Sequence, residues 1–394
     1  MVKPKIRLRG FEGEWEKGLF SAYAKPYFVS NKVVHHQNLL SLSYGKIVRK
    51  DIKANKGLLP ASFDTYQIIK DGIIVFRFTD LQNDHKSLRV GIAKEEGIIS
   101  PAYVCVECEN INPDFFYLQM HTYDMRKLFY SMGDGMRQTL SYNDVKDMPL
   151  YIPSLPEQKA IVEYYNVLEK EITTETENLT KLRQMKSASL ISMFPQTGET
   201  KPRVRFKGFE GEWKKDKAGE LFMTFNERNR PDLPVLSANQ DVRGMAPRTD
   251  IGYNISHNKA NEVTYKVVKP GQYVIHLRSF QGGFAHSAVE GITSPAYTVF
   301  GFKDKNMHDD YFWKIIFMSK PFVKSLETIT YGIRDGRSIS FSEFSEMSFL
   351  FPSKQEQRKI ASFFKSLDKQ ILLQEQRLEK LKQIKTACLD KMFV

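Results

Sequence analysis

Two polar segments of the chain hold the side chains that read base edges in nucleic acid. The first is Thr79-Asp80-Leu81-Gln82-Asn83-Asp84-His85-Lys86-Ser87-Leu88-Arg89, and the second is Arg278-Ser279-Phe280-Gln281-Gly282-Gly283-Phe284-Ala285-His286-Ser287. Glutamine and asparagine bond bidentately to adenine, and arginine or lysine to guanine, in the major groove. Gly282-Gly283 permits a close approach of backbone. The candidate DNA contacts are Arg77, Gln82, Asn83, Lys86 and Arg89 in the first half, and Arg278, Ser279, Gln281 and His286 in the second. Either segment taken alone also reads as an ordinary polar hairpin tip. Function is favoured because the two hold corresponding places yet differ in sequence, as readers of two different sequences would. A later pair of segments carries Arg126, Lys127, Arg137 and Gln138, against Lys324, Arg334, Arg337 and Ser338. Arginines beside the turns Asp134-Gly135 and Asp335-Gly336 suit phosphate or base contact, and phosphate contacts position a protein and make its affinity salt-dependent.

Signals for a chemical step are missing. The chain has no G-x-x-x-x-G-K-[ST] phosphate loop and no G-x-G-x-x-G dinucleotide fingerprint. Cys105-Val106-Glu107-Cys108 has metal-ligand spacing, but no second Cys or His pair follows it. Its alternating apolar residues predict a strand and no metal site. Asn112-Pro113-Asp114-Phe115 comes close to the Asn-Pro-Pro-Tyr/Phe box of adenine methyltransferases, lacks the second proline, and reads as a turn and helix start. The formal net charge of +12 and pI near 9.3 favour a polyanion, either nucleic acid or an anionic membrane surface. No apolar run approaches the roughly 20 residues of a membrane span, and MVKPKIRLRG lacks the apolar stretch of a signal peptide. Three cysteines suit a reducing compartment, so the expected location is the cytoplasm, away from membranes.

The elements that must position these segments come in duplicate. PKIRLRGFEGEW (Pro4 to Trp15) pairs with PRVRFKGFEGEW (Pro202 to Trp213), and Ser100-Pro101-Ala102-Tyr103 with Ser294-Pro295-Ala296-Tyr297. IPSLPEQKAI (Ile152 to Ile161) pairs with FPSKQEQRKI (Phe351 to Ile360), and KLRQMKSASLISMF (Lys181 to Phe194) with KLKQIKTACLDKMF (Lys380 to Phe393). Order is kept at an offset of about 199 residues, so the chain is two copies of one unit. Residues 16 to about 98 bear little likeness to 214 to about 292, whereas the ends of each copy nearly coincide. A shared frame therefore carries two different inserts. Strand-like runs at Ile73 to Phe78 and Tyr273 to Arg278 lead into the two polar segments. The Trp and Phe of each GFEGEW are expected to anchor the start of a globule in the frame, with the glutamates facing solvent.

Each copy ends in a long amphipathic helix. Apolar residues recur at Ile161, Tyr165, Leu168, Ile172, Leu179 and Leu182, and at Ile360, Phe364, Leu367, Ile371, Leu378 and Leu381. Alternating steps of four and three make the seam of a coiled coil, and the polar seam positions Glu175 and Gln374 correspond. Ser154 and Glu157, and again Ser353 and Glu356, have capping-box spacing. Helices of matching length in one chain are expected to pack on each other, antiparallel if the copies are related by a pseudo-two-fold axis. Residues 1–152 and 196–351 then form globules, and residues 153–195 and 352–394 the helices.

The duplicated frame with divergent inserts, the helix starts Leu155-Pro156-Glu157-Gln158 and Lys354-Gln355-Glu356-Gln357, and the KLRQMK and KLKQIK helix ends resemble type I restriction–modification specificity subunits. The resemblance covers essentially the whole chain; Lys354-Gln355 in place of Leu155-Pro156 is its one noted departure. It implies an α+β fold of two similar mixed α/β target recognition domains separated by two long antiparallel coiled-coil helices. Each domain would read one half of a bipartite asymmetric target in double-stranded DNA, and the helices would set the gap. It further implies a subunit without catalysis or a cofactor of its own. Two methyltransferase subunits using S-adenosylmethionine, and two restriction subunits using ATP and magnesium, would be its partners. On the residues alone two other classes stay open: a fused methyltransferase or nuclease, and a scaffold whose positive charge is incidental.

Overall fold

The computed structural model describes residues 3–51, 59–60, 62–79, 81, 88–132, 139–239, 244–251, 259–276, 283–329 and 339–394. The chain divides into two units, one of Met1–Thr176 with Gln376–Val394 and one of Glu177–Glu375. Both follow one plan. A strand near the start, Glu16–Leu19, pairs antiparallel with Pro149–Ile152, which closes the first globule just before its long helix. In the second unit Lys214–Lys217 pairs with Ser348–Phe351 in the same way.

The apolar runs become central strands. In the first unit Ala24–Pro26, Val104–Cys108, Ile74–Phe76 and Val90–Ile92 form one antiparallel sheet in that order. Ile74 and Phe76 enter a core shared with the helix Pro113–Met125, while Val75 enters a second core with Leu40, Ile69 and Ile99. Burial on both faces explains why the run is continuously apolar and does not alternate. In the second unit Phe222–Phe225, Thr298–Phe302, Tyr273–Ile275, Phe284–Ser287, Gly244–Pro247 and Leu236–Asn239 form a six-stranded sheet, with one parallel pair, Gly244–Pro247 beside Phe284–Ser287. Tyr273 and Ile275 again face one core and Val274 the other. Asn112 caps its helix by accepting the Phe115 amide at 3.0 Å, and Asp309 does the same for Tyr311 and Phe312 at 3.1 and 3.0 Å. Cys105 and Cys108 lie on the strand Val104–Cys108 with free thiols, and burial pushes both thiols up to about 12.

The long helices run Leu155–Ser192 and Lys354–Met392, each about 57 Å at 1.5 Å per residue. The first unit contains the start of the first helix and the end of the second. There Ile161, Leu168 and Leu378 are buried, and Tyr165, Ile172 and Leu381 half-buried. Glu169 pairs with Lys385, and Glu175 accepts from Arg377 at 2.8 Å, so these two segments run antiparallel. The second unit contains the end of the first helix and the start of the second. Leu179, Ile360, Phe364 and Leu367 are buried there, Leu182 and Ile371 half-buried. Arg183–Glu375 at 2.7 Å and Lys186–Asp368 at 2.5 Å set the same antiparallel sense. Every predicted seam residue is thus at least half-buried, and the buried polar seam residue Glu175 has a guanidinium partner.

The glutamates read as capping-box residues have partners outside their helices. Arg7 grips both oxygens of Glu157, Nε to Oε1 at 2.8 Å and Nη2 to Oε2 at 2.7 Å, and Arg205 grips Glu356 at 2.6 and 2.7 Å. Such a bidentate pair outcompetes a single backbone amide for the carboxylate. The arginines also donate to the carbonyls of Gly13 and Gly211, whose φ of +85° and +78° suit glycine. The adjoining glutamines bridge as well. Gln158 donates to Pro153 O at 2.9 Å and accepts the Asn112 amide at 2.9 Å; Gln357 donates to Pro352 O at 2.8 Å and accepts the Asp309 amide at 2.9 Å. Trp15 packs against Phe115 and Phe393, and Trp213 against Phe312 and Phe194, while Glu12, Glu14, Glu210 and Glu212 are exposed. Phe11 and Phe209 are only half-buried. The GFEGEW start, the Glu-Gln helix start and the helix end are therefore parts of one joint, made once in each unit.

Candidate nucleic-acid interface

The two polar segments connect antiparallel neighbours in their sheets. Residues 77–89 join Ile74–Phe76 to Val90–Ile92, and residues 276–283 join Tyr273–Ile275 to Phe284–Ser287. The roots match: the Arg77 amide donates to Arg89 O at 2.8 Å, and the His276 amide to Gly283 O at 2.8 Å. Of the candidates, Gln82, Asn83, Lys86, Arg137, Gln138, Arg278, Ser279, Gln281, Arg334, Arg337 and Ser338 lie outside the described residues.

Among the described candidates the structure makes three corrections. Arg89 is fully buried. Its guanidinium donates to Thr79 O, to Arg77 O at 3.3 Å and to the Tyr130 hydroxyl at 3.0 Å, and its amide donates to Asp124 Oδ2 at 2.5 Å. A buried guanidinium must spend its donors internally, so Arg89 ties down the root of the segment and does not reach a base. Burial in turn raises the Asp124 carboxyl above its ordinary value, against the pull of the Arg89 amide and the Lys127 and Arg89 charges. His286 is 6% exposed, with Nε2 at 2.6 Å from Asp310 Oδ2. It holds the start of the helix Asp310–Phe317 and lowers the Asp310 carboxyl. Arg126 donates to Asp390 O at 2.6 Å and Phe393 O at 3.1 Å, and so serves the carbonyl end of the second long helix. Arg77 is half-buried, Lys127 lies over the Tyr130 ring at 4.9 Å, and Lys324 is exposed on the helix Lys320–Ile329.

The same geometry joins the two candidate segments of each unit at their roots. In the first, the Leu140 amide donates to Phe78 O at 3.0 Å, and Arg89 reaches Tyr130. The described residues flanking 133–138 thus lie beside the root of residues 77–89. In the second, Phe284 packs on Phe322 at 5.0 Å, and Leu326 and Ile339 share that core, so the described residues flanking 330–338 lie beside the root of 276–283. The sequence spacing did not reveal this convergence. A further element went unread in the sequence: a hairpin beside each root, Leu40–Ser43 with Lys46–Arg49 and Leu236–Asn239 with Gly244–Pro247. The first packs over Gly91, where a Cβ would stand 2.6 Å from Leu42 Cδ1. The dipeptide Tyr44-Gly45 between two apolar-alternating stretches was its available signal.

Among the described residues no group of three or more His, Cys, Asp or Glu could hold a metal ion, and no helix is long and apolar enough to cross a membrane. Residues 211–383 match the family model of the type I restriction modification DNA specificity domain. The comparison with curated proteins gave no match. Among solved structures, the chain is similar to the type I restriction-modification system S subunit from M. genitalium, at 14% identity and a TM-score of 0.57 over 100% of this chain and 99% of that one. It is also similar to a chain from a structure concerned with complex assembly and conformational transition of the type I R-M system, at 16% identity and a TM-score of 0.51 over 97% and 98% of the two chains. The matched residues lie in the second copy, and the first repeats its frame motif for motif. Residues 211–383 are thus similar to a type I restriction modification DNA specificity domain, and the chain shares the fold of these solved structures over nearly its whole length.

Proposed function

We propose that each unit reads one half of a bipartite, asymmetric target in double-stranded DNA, and that the paired long helices fix the gap between the halves. The convergence of two candidate segments at one root in each unit, with different residues between matching roots, carries this reading. Side chains that read base edges would come from residues 77–89 and 133–138 for one half-site, and from 276–283 and 330–338 for the other. The described exception is Arg89, which supports the root of the first segment. The net charge of +12 supports a polyanionic ligand. The chain would carry no cofactor. Its partners would be two methyltransferase subunits, which methylate adenine with S-adenosylmethionine, and two restriction subunits driven by ATP with magnesium. The assembly would act in the cytoplasm, where three free thiols persist.

Methylome sequencing of cells that carry this chain with its modification partner tests the proposal. The expected result is a bipartite motif with a fixed gap. Replacing residues 16–150 with the corresponding insert of another family member should change one half of that motif and leave the other half intact. A change in both halves, or an unpartitioned motif, would contradict two independent readers.

A further inference from the structure

The hairpin of the first unit ends in an unusual turn. Leu40–Ser43 and Lys46–Arg49 are joined by Tyr44 and Gly45, with φ of +47° and +77°. Two successive left-handed residues make the turn that suits the twist of a hairpin, and Asn-Gly is the pair that adopts it most easily. An aromatic side chain at its first position is disfavoured by its Cβ. Burial does not offset that cost, because Tyr44 is 75% exposed.

The turn is nevertheless firmly seated. Gly45 O accepts the Tyr117 hydroxyl at 3.2 Å, and a Cβ on Gly45 would meet Leu88 Cβ at 3.1 Å and His121 Cε1 at 3.5 Å. The surroundings thus hold a strained turn and present its ring to solvent, a combination that points to function. The closeness of Leu88 sets the turn beside the end of the segment that carries Gln82, Asn83 and Lys86 in sequence. Lys46 and Lys50 are exposed along the following strand, with Lys46 also near Glu169, and Arg49 pairs with Glu95. A two-stranded ribbon of this kind fits the major groove of B-form DNA.

We infer that Tyr44 is a specificity-determining DNA contact of the first unit. The ribbon tip enters the major groove of the half-site, with the ring against base edges and the hydroxyl within hydrogen-bonding reach, while Lys46 and Lys50 face phosphates. In the second unit the corresponding hairpin is joined by Gln240-Asp241-Val242-Arg243, so the two copies differ in length and chemistry here as well. The inference rests on the proposed reading of half-sites and deepens it.

The test uses the complex of the full chain with its methyltransferase partner, comparing the native protein with Tyr44→Asn and Tyr44→Phe. Asparagine relieves the turn, so Tyr44→Asn should keep or raise the thermal midpoint. Its affinity for the cognate duplex should fall between about fivefold and a hundredfold, the range of one good base contact. The motif should relax at a position in the first half-site only. Tyr44→Phe keeps the ring and isolates the hydroxyl: a relaxed motif assigns the contact to the hydroxyl, and a retained one to the ring. Native affinity and motif in Tyr44→Asn would overturn the inference, as would an equal loss on cognate and unrelated duplexes, which marks a phosphate contact. A native complex without preference for any duplex would overturn the half-site reading itself.

Discussion

Arg7 and Glu157 meet from positions 150 apart in the sequence, and Arg205 and Glu356 repeat the pair at a separation of 151. Each carboxylate is 1% exposed. A buried ion pair contributes little net stability over an apolar substitute, but loss of one partner strands the other without water. Arg7→Ala leaves the buried Glu157 carboxylate unpaired and should therefore destabilise the first unit by about 2–4 kcal/mol, and Arg205→Ala the second by a similar amount. Denaturant unfolding of each variant reads the effect; a loss below about 0.5 kcal/mol, as for an exposed pair, would remove the joint's claim to hold the globule on its helix. The candidate contact residues divide by the same logic of burial. Arg89, His286 and Arg126 have the residue types of DNA readers and spend their hydrogen bonds inside the protein.

The long helices are the elements whose seam was easiest to read and whose neighbours were hardest. Their seam repeats every seven residues, so one heptad adds about 10 Å of helix without rotating the apolar face away from its partner. Inserting one heptad in each helix at matching places should therefore lengthen the gap of the methylation motif while both half-sites stay the same. Methylome sequencing would show it; a changed half-site with an unchanged gap would contradict the ruler. The paired segments also have charge matched across the seam. Lys385 with Glu169 and Arg377 with Glu175 lie in one unit, Arg183 with Glu375 and Lys186 with Asp368 in the other.

For the molecule as a whole, each unit buries a neutral histidine. Desolvation lowers His121 to about 4, with Lys385 adding to the shift and Glu169 opposing it. Desolvation lowers His308 to about 4 as well, and its Nδ1 accepts the Trp313 indole N–H at 3.3 Å, a bond that a proton on that nitrogen would abolish. Between pH 6.5 and 4 the unfolded chain binds protons at these positions and the folded chain does not. Stability therefore falls as pH falls through that window. The lowered Asp310 carboxyl acts in the same direction, but only below its ordinary value of 3.8. The thermal midpoint should drop steadily from pH 6.5 to 4, and less steeply in His121→Asn, His308→Asn protein; a midpoint constant across that range would refute the assignment.

Periodicity and repetition are local or linear properties, and the sequence by itself determined what depends on them. These are the two copies, the heptad seams from Ile161 to Leu182 and from Ile360 to Leu381, the central strands and the divergent inserts. Tertiary structure alone decided which of the polar residues face inward. Arg89 and His286 carry the same groups whether buried or exposed, and only the packing around them removes the water. It alone also joined distant pieces: Arg7 to Glu157, Trp15 to Phe393, Trp213 to Phe194, and Gly45 to Leu88. Such contacts pair residues with no fixed spacing. No period along the chain can announce them.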